Sequence, residues 1–221
     1  MNTFLKRWFE KPAEDQEIDI QPDLPHCVFI HGANQSRTCW NFIIKELGLS
    51  SEQYTAVEYN TLNGFYDNLK ELCDIIEDVP DDSVIISHSL GGIYAVHLHN
   101  LFPDKFSQSI SISTPFRGST AAEYLRYLSP HTKLFRDIGK RSQPIVEANR
   151  IEITIPWTQI VSIRGNSPWL REGNDGIVTI DSQKHRNDVD YIEIDANHYE
   201  ILVAYRTVKV IKEIICSTTA T

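Results

Sequence analysis

VIISHSLGGIYAVHL, residues 84–98, runs from a string of β-branched residues into a helical pattern, with Ser-His-Ser-Leu-Gly-Gly at the join. A chain that turns sharply from a buried strand into a helix at Ser89 holds that hydroxyl clear of the backbone, above the sheet edge. So tight a turn needs small residues two before and two after the serine. Here they are Ser87 and Gly91, with Gly92 permitting further close approach. The usual form of such a nucleophile elbow is Gly-x-Ser-x-Gly, and this chain has Ser at the first small position. The short pattern alone suits an ordinary strand-to-helix turn equally well, so its reading depends on the surrounding chain.

Working outward, HCVFIHG (26–32) is a short apolar burst ending in glycine, as a buried strand does. Trp40, Ile43, Ile44 and Leu47 fall on one helical face, with Gly48 as a stop. YTAVEYN (54–60) is a strand. Leu69, Leu72, Cys73 and Ile76 mark a helix that Pro80 closes. Strand 83–87, helix 92–102, and strands 107–113, 157–165 and 189–195 follow, and a final helix is expected over 198–215. Strands alternating with helices predict an α/β fold: a doubly wound, mostly parallel sheet of about six strands with helices on both faces. Residues 1–25 form a polar leader and 26–221 the domain. Residues 116–156 break the rhythm and are too long for a simple connection. Their apolar residues, among them Tyr124, Leu125 and Leu128, recur at helical spacing. An insertion at the carboxyl edge of the sheet is where ligand sites form in open α/β folds. The segment is therefore expected to be a lid or acyl-pocket wall, with satellite core as the alternative.

Composition removes several classes of function. With 21 Lys and Arg against 30 Asp and Glu, the net charge is −9, which argues against a nucleic-acid partner. No apolar run approaches the ~20 residues of a membrane span, and the N-terminal stretch lacks the apolar core of a signal peptide. A cytoplasmic location is the resulting expectation. Phe4, Leu5, Trp8 and Phe9 offer at most a peripheral membrane or partner contact. Cys27, Cys39, Cys73 and Cys216 form no C-x-x-C pair and read as reduced thiols. No metal and no cofactor is expected.

A serine is a weak nucleophile that needs a base within hydrogen-bond reach, oriented by a third group. On an elbow the partners follow in the order Ser, acid, His, on loops after later strands. Asp175 lies in the loop after strand 157–165, and His198 follows strand 189–195. Asp181, Asp188 and Asp195 are the rival acids. Among the other histidines, His31 is expected to brace its strand-end loop and His88 to point away from the site. His97 and His99 do not share a helix face, and His131 and His185 are expected in solvent. Trp40 and Trp157 read as packing; Trp169, in the acid loop, is the candidate substrate contact.

Four stretches together resemble the α/β-hydrolase superfamily, in particular the lipase and serine-esterase branch in its minimal single-domain form. They are FIHGANQS (29–36), ISHSLGG (86–92), ISTPFRGS (112–119), and DGIV (175–178) with NHYEIL (197–202), covering residue 26 to about 215. The resemblance implies a Ser89–His198–Asp175 triad and an oxyanion hole from the N–H groups of Ala33, with Asn34 as its neighbouring alternative, and Leu90. Phe116 stands where related lipases commonly carry histidine. The implied activity is cleavage of a small-molecule or lipid acyl ester through an acyl-enzyme. An acyltransferase or thioesterase using the same triad, and a non-catalytic ligand-binding protein on the same fold, are the alternatives.

Overall fold

In the computed structural model, which describes residues 24–119, 137–167, 170 and 172–218, the strands are β1 Cys27–Ile30, β2 Tyr54–Val57, β3 Ser83–His88, β4 Phe106–Ile112, β5 Trp157–Ser162 and β6 Asp190–Ile194. They pair in the order β2-β1-β3-β4-β5-β6, every pair parallel. Parallel pairing requires a crossover between successive strands. These crossovers carry α1 Asn41–Leu47, preceded by a 3-10 turn at Arg37–Trp40, then α2 Phe65–Glu77, α3 Leu90–Leu101, α4 Gln143–Ala148 and the short α5 Ile180–Gln183. After β6 come a 3-10 turn at Glu200–Val203 and α6 Tyr205–Thr218.

Successive side chains of a strand face opposite ways, and β1 shows where each goes. Val28 and Ile30 join Leu69 and Leu72 of α2, Ile93 of α3 and Ile145 of α4. Cys27 and Phe29 instead meet Trp40, Ile43 and Leu47, together with Val208, Ile211 and Ile215 of α6. The sheet is thus covered on both faces, as the alternating pattern predicts. Strand order reverses at β1, whose crossover runs to β2 on one side while β3 lies on the other. The carboxyl ends of β1 and β3 therefore flank the crevice that open α/β sheets use for ligands.

One local difference from the sequence reading stands out. The last helix does not begin at His198. Ala204 is extended (φ −88°, ψ 126°), and its carbonyl accepts the Thr207 N–H at 3.0 Å as α6 starts. A capping residue of this kind leaves no gap in apolar spacing, so periodicity runs straight through it. Within 116–156, residues 120–136 lie outside the described residues, and Tyr124, Leu125 and Leu128 with them. The distal part is tied to the body: Ile138, Ile145 and Ala148 are buried against α2 and α3. Asp137 Oδ2 accepts the Phe65 N–H at 2.8 Å. No helix among the described residues is long and apolar enough to cross a membrane.

Candidate active site

Ser89 sits between β3 and α3 at φ 52°, ψ −120°, a region that residues with a side chain rarely adopt. Its own N–H donates to Ile112 O at 2.8 Å, and its carbonyl accepts Gly92 N–H at 3.0 Å. The turn is held by very close packing of α3 on the sheet. A Cβ on Gly91 would lie 2.3 Å from Ile30 O, and one on Gly92 would lie 1.9 Å from Thr114 Oγ1. At Gly91 the obstacle is backbone and at Gly92 it is the buried Thr114 side chain, so a side chain at either position would force its neighbour to move.

His198 is delivered by the loop after β6. The Ile163 and Arg164 N–H groups donate to Ile194 O and Ala196 O, extending the β5–β6 ladder to the edge of the site. Asn197 Oδ1 accepts the N–H groups of Tyr199 and Glu200, at 3.0 and 2.9 Å, which turns the chain just past the imidazole. The His198 N–H donates to Asp175 O at 3.0 Å, so the two loops are joined through their backbones as well.

Three side chains meet there. His198 Nε2 lies 3.0 Å from Ser89 Oγ, and His198 Nδ1 lies 2.7 Å from Asp175 Oδ2. A carboxylate accepts only, so Nδ1 carries the hydrogen and Nε2 presents its lone pair to the serine hydroxyl. Asp175 is 1% exposed. Its Oδ2 also accepts from Ser162 Oγ at 2.5 Å and Gln183 Nε2 at 3.2 Å, while Oδ1 accepts the N–H groups of Ile177 and Val178 at 2.9 and 2.7 Å. Burial alone pushes the Asp175 carboxyl up. The hydrogen bond and charge of His198, with the Ser162 hydroxyl and the Val178 N–H, outweigh it and hold the pKa below the ordinary value.

Leu90 opens α3, where a helix offers its first N–H groups no internal acceptor. Ala33 is half-buried between Gly32, whose N–H donates to Gln35 Oε1 at 2.8 Å, and the exposed Asn34, at φ 55°. The rival acids are paired or exposed: Asp181 pairs with Arg117, Asp188 pairs with Arg186, and Asp195 is exposed. His31 braces its loop, stacked on Tyr59 with ring centroids 4.1 Å apart. Trp40 and Trp157 are buried, Phe116 is part of the core, and Trp169 lies outside the described residues.

His88 corrects the sequence reading. It does not point away: its Nε2 lies 2.9 Å from His198 O, and its ring packs 4.8 Å from the His198 ring. Sequence reasoning also missed Ser162 and Gln183 as hydrogen-bond donors to the Asp175 carboxylate. A serine closing the strand WTQIVS directly after Ile160 and Val161 was the available signal for the first. Gln183 had none, because α5 lies in a stretch that reads as irregular. Among the described residues no three His, Cys, Asp or Glu side chains cluster as metal ligands would. The arrangement can move a proton from a hydroxyl to an imidazole whose resulting charge faces a buried carboxylate.

Residues 27–178 match the family model described as the alpha/beta hydrolase family. The chain belongs to this family. Among curated relatives, the chain is 35% identical over 100 residues to the pimeloyl-[acyl-carrier protein] methyl ester esterase of Pseudoalteromonas atlantica, covering 41% of this chain and 37% of that protein. It is 27% identical over 101 residues to Methylesterase 3 of Arabidopsis thaliana, covering 40% of this chain and 38% of that protein. The matches thus span well under half the length of these relatives. In three dimensions this alpha/beta hydrolase is similar to Bacillus licheniformis lipase BlEst2 in its mature form. The TM-score is 0.66 at 16% identity, over 93% of this chain and 96% of that one. Identity this low speaks to the shared fold.

Proposed function

We propose that the protein is a serine hydrolase that cleaves carboxylic esters through an acyl-enzyme. The observation that carries this reading is the continuous chain of contacts from Ser89 Oγ through His198 (3.0 Å) to the buried Asp175 carboxylate (2.7 Å). Ser89 Oγ attacks the ester carbonyl carbon while His198 Nε2 takes its proton, and Asp175 holds the tautomer and stabilises the imidazolium. The N–H groups of Ala33 and Leu90 receive the developing oxyanion; one such donor is worth about 3 kcal/mol of the barrier. As the tetrahedral intermediate collapses, His198 returns the proton to the leaving alcohol. Water, deprotonated by His198, then attacks the acyl-enzyme and releases the acid and Ser89.

The relatives named for methyl esters support a simple ester as substrate. The apolar residues Tyr124, Leu125 and Leu128, with Trp169, are proposed as the wall for an acyl group. A panel of p-nitrophenyl esters from acetate upward, with methyl and thio esters of the same acids, tests the assignment. Saturable turnover of oxygen esters, lost in Ser89→Ala, is expected. Turnover that Ser89→Ala leaves intact, or turnover confined to thioesters, contradicts it.

A further inference from the structure

His88 is wholly buried directly before Ser89, and it touches both loops that flank the serine. Its Nδ1 lies 2.9 Å from Gln35 Oε1, on the loop after β1, and its Nε2 lies 2.9 Å from His198 O, on the loop after β6. Gln35 Oε1 accepts in addition the N–H of Gly32, the residue before Ala33. Burial, and then repulsion by a charged His198, lowers the His88 pKa to about 3, so the ring is neutral at working pH. A neutral imidazole has one N–H, yet both of its nitrogens face carbonyl oxygens. The one hydrogen can bond only one loop at a time: on Nδ1 it bonds Gln35 Oε1 and leaves the Nε2 lone pair facing His198 O, and on Nε2 the reverse.

We propose that His88 is a positioning residue that couples the oxyanion loop to the base loop, setting the Ala33 N–H and the His198 imidazole in register with Ser89. This rests on the serine-hydrolase reading above. The ring itself reaches no reacting atom; it acts through Gln35 on one side and through the His198 backbone on the other. Both groups it places act on the transition state, so loosening them lowers kcat while leaving KM nearly unchanged.

The test is a double-mutant cycle on the full chain with a short p-nitrophenyl ester: His88→Phe, Gln35→Leu and both together, with active sites titrated by a fluorophosphonate. Each single variant is expected to lose about 10- to 100-fold in kcat, the scale of a small misplacement of reacting groups. The double variant is expected to lose no more than the worse single one, and His88→Asn, which keeps a donor toward Gln35, to recover part of the loss. Losses that multiply, or kcat per titrated site equal to wild type, overturn the coupling. Gln35 is only half-buried, so if His88→Phe fails to fold, wild-type kcat in Gln35→Leu overturns it alone. Wild-type protein that turns over esters without labelling at Ser89 instead removes the underlying reading, a separable outcome.

Discussion

At Asp175, burial and hydrogen bonding pull in opposite directions, and hydrogen bonding wins. An amide at this position still accepts at one atom but can donate at the other, favouring the wrong imidazole tautomer. Asp175→Asn is therefore expected to lower kcat by roughly 10⁴-fold, while Asp181→Asn and Asp195→Asn stay near wild type in the same ester assay. Stability follows the same carboxylate. Its folded pKa lies below the unfolded value of about 3.9, so its contribution is present above that pH and is lost as pH falls through the folded value. Urea unfolding should show the gap between wild type and Asp175→Asn narrowing below about pH 4. His88 titrates in a different window. It is neutral when folded down to about pH 3, whereas an unfolded histidine protonates near 6.5. Wild-type stability should fall as pH drops from about 6.5 toward 3, and His88→Phe should flatten that slope.

The element that decides the site is α3, and it depends on two missing side chains. Glycine in a helix ordinarily costs about 1 kcal/mol against alanine, so Gly92→Ala looks stabilising by propensity. The Thr114 side chain, 1.9 Å from the added Cβ, reverses the sign. Gly92→Ala is expected to destabilise by about 1–3 kcal/mol, as overpacking does, measured by urea unfolding, with the ester assay reporting displacement of Ser89. The strands were legible as short apolar runs, as in β1 and β3, or as polar–apolar alternation, as in β4 and β6, between turn residues. Helices α1 and α2 were legible from their apolar spacing. The break at Ala204 was not, because its extended backbone changes no apolar position, and α5 is a single short turn held by Thr179 Oγ1 accepting the Ser182 N–H.

Over the whole molecule, parallel pairing brings every strand's carboxyl end to one edge, and this made the meeting of residues 89, 175 and 198 legible. A serine after β3, a carboxylate after β5 and a histidine after β6 must share that edge once the sheet order is right. The contacts behind them were not legible: His88 and His198 are 110 residues apart, and their bond depends on where a loop turns. Substrate choice is tested on this scale too. If Tyr124, Leu125 and Leu128 line an acyl pocket, polar replacements should penalise long acyl chains. At ~0.8 kcal/mol per buried methylene, three lost carbons come to about 2.4 kcal/mol, roughly 50-fold in kcat/KM, with acetate esters barely affected. A uniform loss tracking a lower Tm would instead make the segment core. Whether Ser89 is the nucleophile is decided by peptide mapping of protein labelled with a fluorophosphonate. A single adduct is expected on the peptide containing Ser89, absent in Ser89→Ala and slow to form in His198→Ala. An adduct on Ser107 or Ser111 with Ser89 unmodified would contradict it.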